Sequence, residues 1–408
     1  MVNGDGLDYL VGFLFFSISN ISRMLQQFIG VPREIPYIAY IFLLALYFLK
    51  YIRRIRFFDL MYYVVFGIIV AYGLMKYSRY IDSTTRVYAV VLLFLPTFLF
   101  FRVFDPEKLF KVFIASQYFA SVYLMVYYIT DLRNQTGYSM DYAYWIVIPI
   151  CTMFYLFMER GQRRYLVFSG IMLVTLVLAG CRGALLLGIV CIVYLYMVRE
   201  LQVRKTVGWY IKVFSVIAVV TAAALAYTQI LTFLTRYAHY SRTIYKLVKG
   251  NLFDSYTRTV LYDMLKQFVK ERPLGYGPLA SRKLLVSDPY PHSFLYESLL
   301  DYGVVFGGLF FAAVIVMAIM NLWRYRYSRF NIIIGYIEII GLGSLMVSSS
   351  YFYEIYVPAT IALFMIYGKV AENENLILYH RKKPGDEEPA FEETGEAGEE
   401  TGIQAEVN

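Results

Sequence analysis

Apolar runs of roughly twenty residues, the length needed to cross a bilayer as a helix, recur along this sequence with few charges inside them. Hydrocarbon offers no water to a peptide group, so such runs must satisfy their backbone internally as helices. The overall content agrees: 59% of the residues are apolar, against about 45–50% in soluble domains. Spans are predicted near 7–28, 35–52, 57–75, 87–101, 108–129, 142–158, 165–181, 183–198, 209–232, 294–323, 330–350 and 354–370. The expected fold class is therefore an all-α polytopic membrane protein of about 12 transmembrane helices, with one long, partly helical extracytoplasmic loop at 233–293. Only Arg182 interrupts the apolar stretch 165–198, and the glycines in Ala179-Gly180-Cys181-Arg182-Gly183 favour a turn between two helices over one long helix.

Short cytoplasmic loops collect lysine and arginine. Lys50/Arg53/Arg54/Arg56, Arg160/Arg163/Arg164, Arg199/Arg204/Lys205 and Arg324/Arg326/Arg329 are basic clusters, and alternating spans put each of them on the cytoplasmic side. Both termini then face the cytoplasm, while Arg182, the loop 233–293 and the Tyr351–Tyr353 connection face outward. The loop 76–86, with Lys76, Arg79 and Arg86, falls outside against the rule. The first segment has no small-residue cleavage site after a short apolar region and is expected to be retained.

Charge divides the chain into two domains, a transmembrane part over 1–370 and an acidic tail over 371–408. From Glu372 to Glu406 the tail carries eleven acidic residues against Arg381, Lys382 and Lys383. The chain's net +8 therefore conceals roughly +16 on the membrane part. Segment 384–408, rich in Glu, Gly, Thr and Ala, is expected to be disordered and cytoplasmic because it has too little apolar surface to bury. A basic membrane protein suits membrane lipids and phosphorylated lipid carriers of negative charge. Nucleic acid is a poor partner, since the positive charge is scattered among short loops. Cys151, Cys181 and Cys191 lie in apolar segments and suggest neither a disulfide framework nor a thiolate metal site. Neither a P-loop nor a metal-type cluster is present, so no cofactor is expected.

The long polar interval 254–307 breaks this pattern. Ser255 can cap a helix in which Tyr256, Val260, Leu261, Met264, Leu265, Phe268 and Val269 recur at helical spacing, and Pro273 ends it. Leu274-Gly275-Tyr276-Gly277-Pro278 then turns the chain, glycine reaching positive φ without steric cost. Pro289 and Pro291 bracket a stiff approach to His292, directly before an apolar helix.

Arginine, amphipathic helix, Pro-Leu-Gly-Tyr-Gly, then Pro-His-Ser and a later Asp-x-Gly together resemble the O-antigen polymerase and O-antigen ligase superfamily of bacterial membrane glycosyltransferases. The matching positions are Arg258, Pro273, Leu274, Gly275, Gly277, His292, Asp301 and Gly303. Ser293 stands where the family usually has asparagine, although serine can still donate and accept a hydrogen bond. Tyr296 stands where the family often has leucine. Arg182-Gly183 matches a recurring Arg-Gly pair, with Cys181 replacing the usual serine. The match covers roughly residues 180–307; elsewhere the agreement is in hydrophobicity and span number only.

The resemblance implies a metal-independent transferase in the cytoplasmic membrane of a bacterium. It would join polyprenyl-diphosphate-linked oligosaccharide units to a growing polysaccharide acceptor at the outer face, with a flippase and a chain-length regulator as further partners. Candidate catalytic residues are His292, Arg258 and Arg182. Candidate substrate-binding residues are Arg182, Arg258, Gly275, Gly277, Ser293 and Asp301. Two guanidiniums can clamp a diphosphate by bidentate hydrogen bonds, provided negative charge grows there during the reaction. An imidazole can take the acceptor's proton or hydrogen-bond the leaving group, and the sequence leaves both roles open.

Plainer readings stand beside each candidate. Arg182 could snorkel to the interface or pair with a carboxylate, Arg258 and His292 could be solvated loop residues, and Asp301 could cap a helix or pair with a cation. Glu297, Glu338 and Glu354 are expected to be structural, with Glu354 and Tyr351–Tyr353 as plausible cavity lining. A ligase using another lipid or protein acceptor, and a lipid-linked oligosaccharide flippase, are the alternatives to the polymerase. The flippase has no evident need for a histidine loop, and a membrane scaffold would give Arg182 no ligand.

Overall fold

The computed structural model describes residues 4–80, 94–130, 139–200, 235, 245, 256–285 and 291–377. The predicted span 209–232, the start of 87–101, much of the outer loop, the end of the loop 76–86 and the tail beyond 377 lie outside the described residues. Those described are helical, joined by short turns and one isolated backbone bridge between Ser328 and Ile377.

The first half of the chain forms α1 (Gly4–Ile29), α2 (Glu34–Lys50), α3 (Phe57–Tyr77), α4 (Leu95–Val103), α5 (Pro106–Thr130) and α6 (Met140–Arg160). Next come α7 (Arg163–Leu178), α8 (Arg182–Glu200) and α9 (Tyr256–Glu271). The chain continues as α10 (Phe294–Arg324), α11 (Asn331–Leu345) and α12 (Tyr356–Ala371). By length and composition α3, α5, α6, Arg182–Arg199 of α8 and Phe294–Tyr327 can cross a membrane, while α11 and α12 are shorter apolar helices. The described helices therefore do not reach about twelve spans. α2 and α7 have only 17 and 16 residues, or about 25 Å at 1.5 Å per residue, short of a hydrocarbon core of about 30 Å.

Lipid tails are as apolar as leucine, so helices in a bilayer associate through shape and polar contacts. α1 packs on α2 and α5, α6 on α5, α7 and α8, and α12 on α4 and α10. Phe15 of α1 stacks on Phe100 of α4 with centroids 3.9 Å apart, and Tyr47 stacks on Phe104. A buried ion pair joins α3 to α4, Arg102 donating to Asp59 at 2.7 Å. The turn expected at 179–183 is present: α7 ends at Leu178, Gly180 takes φ 75°, and α8 begins at Arg182.

α10 departs most from the sequence reading. Its 31 residues are interrupted at Gly303, with φ 82° and ψ 175°. Phe294 and Phe310, sixteen residues apart, would be separated by about 24 Å on a straight helix, yet their rings lie 5.8 Å apart. A Cβ on Gly307 would meet the Ser298 carbonyl oxygen at 2.1 Å. The arm 294–302 thus folds back on the arm 304–324, and the latter, about 31 Å long, is left to cross the bilayer. Beyond α12 the chain stays packed past the expected boundary at 370: Leu376 is buried and its carbonyl accepts from Arg329 N and Ser328 Oγ.

Candidate active site at the α10 fold-back

The Pro273–Gly277 turn is hydrogen-bonded into the break in α10. Val304 N donates to Pro273 O at 2.7 Å, Tyr276 N to Leu300 O at 2.7 Å, and Gly277 N to Asp301 O at 3.1 Å. Gly275 and Gly303 both have positive φ, and a Cβ on Gly275 would lie 2.5 Å from Gly303 N. Neither position has room for a side chain. On the other side of the turn, Tyr77 Oη and Lys76 Nζ of α3 donate to Tyr276 O at 2.8 and 3.3 Å.

α9 packs against the arm 294–302. Leu261, Leu265, Leu285 and Leu300 form a small buried cluster, and Tyr262 stacks on Tyr296 with centroids 5.4 Å apart. The Tyr262 hydroxyl donates to His292 O at 3.3 Å. Arg258 precedes Tyr262 by four residues, so it occupies the same face of α9, at the end nearer His292.

His292 has φ 51°, a left-handed conformation that costs a non-glycine residue on the order of 1–2 kcal/mol. Its ring lies over the segment joining α11 to α12, with Nδ1 3.1 Å from Ser348 O. A carbonyl oxygen only accepts, so Nδ1 carries a proton and the neutral ring holds its lone pair on Nε2. The residue before Ser348, Val347, is in contact range of Gly183: a Cβ on Gly183 would lie 3.7 Å from Val347 Cγ2 and 2.7 Å from Tyr144 Oη. Arg182 starts α8 beside this contact. The charges of Arg258 and Arg182 both act on the Cys181 thiol, which brings the α9 and α8 arginines into one neighbourhood. His292 thus sits against Ser348, next to the Val347–Gly183 contact at the start of α8, and Arg258 lies on the face of α9 that meets the His292 end of α10.

The other predicted residues are placed differently. Ser293 is half-buried at the N-cap of α10, and its side chain makes no capping hydrogen bond. Asp301 is 3% exposed and its Oδ2 accepts from Tyr351 Oη at 2.7 Å. Gly275 and Gly277 contact α10 and α3 through backbone positions. Among the described residues, no three His, Cys, Asp or Glu side chains converge on a common point.

Behind His292 lies a buried ionic cluster that sequence reasoning missed. Arg282, in the helical turn Ser281–Leu284, and Glu297 of α10 have fully buried side chains joined at 3.0 Å. Ser350 Oγ accepts from Arg282 at 2.6 Å and donates to Glu297 Oε1 at 2.6 Å, and Tyr351 N donates to Glu297 Oε2 at 3.2 Å. Arg282 also stacks over Tyr353. Glu297 and Asp301 are four residues apart, on one face of the arm 294–302. The cluster therefore ties that arm to the segment 348–353, which carries the partner of the His292 ring. In the same segment, Ser349 Oγ donates to Glu354 at 2.9 Å, and burial pushes the Glu354 carboxyl up to about 7. The available sequence signal was the Ser348-Ser349-Ser350-Tyr351 run, small polar residues between two apolar helices.

Residues 167–312 match the protein-family model described as O-antigen ligase. This part of the chain is similar to the O-antigen ligase family. Its span begins in α7 and ends inside the second arm of α10, enclosing Arg182, Arg258, the Pro273–Gly277 turn, His292 and the fold-back. Among the described residues several helices are apolar and long enough to cross a membrane, as in a membrane protein. No curated protein matches the chain.

Proposed function

We propose that the protein is a membrane polysaccharide polymerase, transferring polyprenyl-diphosphate-linked oligosaccharide units to a growing glycan at the outer face of the cytoplasmic membrane. The observation that carries this reading is the placement of His292 against Ser348, beside the start of α8 that bears Arg182, within the stretch that matches the O-antigen ligase model, which also contains Arg258 on α9. An acceptor hydroxyl oxygen would attack the anomeric carbon of the donor sugar as the bond from that carbon to the phosphate oxygen breaks. The acceptor proton would pass to His292 Nε2, and the diphosphate would leave on its lipid.

The Nδ1 contact with Ser348 O supports the base role, because it orients the ring and puts the proton on Nδ1, the tautomer in which Nε2 is the basic nitrogen. The guanidiniums of Arg258 and Arg182 would hold the diphosphate in bidentate fashion and favour the charge that develops on it. Gly275, Gly277, Ser293 and Asp301 remain proposed members of the substrate site, the glycines and Asp301 through the backbone shape they maintain.

The family description itself favours a second reading, a ligase that moves a finished glycan to a lipid or protein acceptor. Incubating purified protein with its lipid-linked repeat unit alone separates the readings. A growing ladder supports the polymerase, transfer only after a second acceptor is added supports the ligase, and translocation without covalent change would reject both. In the competent assay His292→Ala should lower turnover by roughly 10²–10⁴-fold with normal insertion. Arg258→Lys and Arg182→Lys should lose turnover through geometry while keeping charge. Near-normal product from His292→Ala at wild-type protein level would remove His292 from the mechanism.

A further inference from the structure

At the other end of α6 from Met140 and Ser348 lies a cavity of about 720 Å³ between α5, α6 and α7. Its walls include Tyr118, Met153, Phe168 and Ile171, and its head is formed by Arg164 and Tyr165. Val167 and Ile171 on its margin are 61% and 48% exposed, so the cavity opens onto an apolar outer face of α7. An apolar groove with that opening is a place for hydrocarbon.

The head of the groove is cationic. Arg160 Nη1 and Arg164 Nη2 both donate to the Tyr165 hydroxyl, at 3.1 and 3.4 Å. Two guanidiniums are thus drawn to one neutral oxygen, with Arg163 beside them in sequence. The adjacent carboxylate, Glu159, is engaged by Arg329 at 3.3 Å. Each guanidinium has five N–H donors in a fork suited to phosphate oxygens, and both side chains are exposed at the head of the groove. Like charges held this close favour a bridging anion.

We propose that this groove binds one anionic diacyl phospholipid, with an acyl chain along Met153, Phe168 and Ile171 and the phosphate on Arg160 and Arg164. The combination of hydrocarbon and phosphate in one molecule matches the combination of apolar wall and paired arginines, as in basic pockets between membrane helices. Along α6, Met140 at the Ser348 end is thirteen residues from Met153 in the groove wall and twenty from Arg160 at its head, or about 20 and 30 Å. The site is therefore distinct from the proposed transferase centre and does not depend on that assignment.

The test is native mass spectrometry of the purified full-length protein equilibrated in detergent with equal amounts of phosphatidylglycerol and phosphatidylcholine. The wild type should retain a single phosphatidylglycerol in preference to phosphatidylcholine by on the order of tenfold. Arg160→Ala with Arg164→Ala should abolish the preference, and Ile171→Trp, which narrows the groove at an exposed position, should reduce retention of the bound lipid without touching the arginines. Equal retention of the two lipids by the wild type would overturn the proposal. So would an unchanged phosphatidylglycerol preference in the arginine double variant at normal folding.

Discussion

Two buried polar clusters in this protein are built on opposite principles. Arg282, Glu297, Asp301, Ser350 and Tyr351 form an ionic cluster at the α10 fold-back. Glu338, Asn321 and Thr360 form the other, in which Asn321 Nδ2 donates to Glu338 Oε1 at 2.8 Å and Thr360 Oγ1 donates to Glu338 Oε2 at 2.7 Å, both partners being uncharged. The first cluster joins irregular backbone: a helical turn, a folded-back arm and the segment 348–353. The second joins helical stretches of α10, α11 and α12, with Glu338 on the π-helical stretch Gly335–Gly341. Irregular backbone has few repeating hydrogen bonds to hold its shape, so strong, directional ionic contacts can fix it where regular helices need only a neutral staple.

The sharpest way to break this comparison is to remove the cation. Arg282→Met leaves Glu297 buried without its charge partner and should destabilise the fold by about 3–5 kcal/mol, read as a large fall in melting temperature in detergent. Arg282→Met combined with Glu297→Leu should recover much of that loss, because the uncompensated charge is gone. If the single and double variants melt alike, the ionic cluster does not hold the fold-back.

Gly303→Ala tests the same region through the backbone. Its φ of 82° and a Cβ 2.5 Å from Pro273 O leave no relaxed position for the methyl group. A loss of at least about 2 kcal/mol is expected, with faster amide exchange at Val304 and Gly277. Wild-type exchange at both amides would mean that the break does not depend on the Pro273–Gly277 turn.

For the neutral cluster a milder effect is expected. Glu338→Gln keeps one carbonyl for Asn321, and the Thr360 hydroxyl can rotate to accept from the new amide, so the cost should be about 1 kcal/mol. A loss as large as that of Arg282→Met would erase the contrast between the clusters.

The smallest effect concerns Glu354, in the segment between α11 and α12. Its folded carboxyl is raised from 4.5 to about 7, so the stability it contributes is fully present below about 4.5 and is lost as the pH rises through about 7. Glu354→Gln imitates the protonated form. The melting temperature of this variant relative to wild type should therefore be higher at pH 8 than at pH 4.5, and a pH-independent difference would count against the burial that raises the acid.

Several residues of the proposed site are conspicuous in the sequence itself. Arg258, the Pro273–Gly277 turn and His292 stand out because polar residues at fixed spacing are rare between apolar runs, and Arg182 because a cation in such a run needs compensation. Arg282 was not legible. It sits beside Lys283 in a stretch that reads as an ordinary basic loop, and its carboxylate partner is fifteen residues further on, on a different element. Nor could the pattern show that Asp301 faces Tyr351, since a single carboxylate in an apolar helix is equally compatible with a cap, a cation or a ligand.

The sequence by itself determined that the chain is helical and membrane-embedded, where α7 gives way to α8, and that a glycine-rich turn precedes the histidine. These follow from local composition and from the glycine and proline positions, which act over a few residues. The tertiary structure alone decided that α10 is two arms folded together, that His292 leans on Ser348, and that the start of α8 lies beside that segment. An apolar run has the same hydropathy whether straight or folded back. Only the hydrogen bonds from the Pro273–Gly277 turn, and the absence of a side chain at Gly275, Gly303 and Gly307, choose between the two shapes.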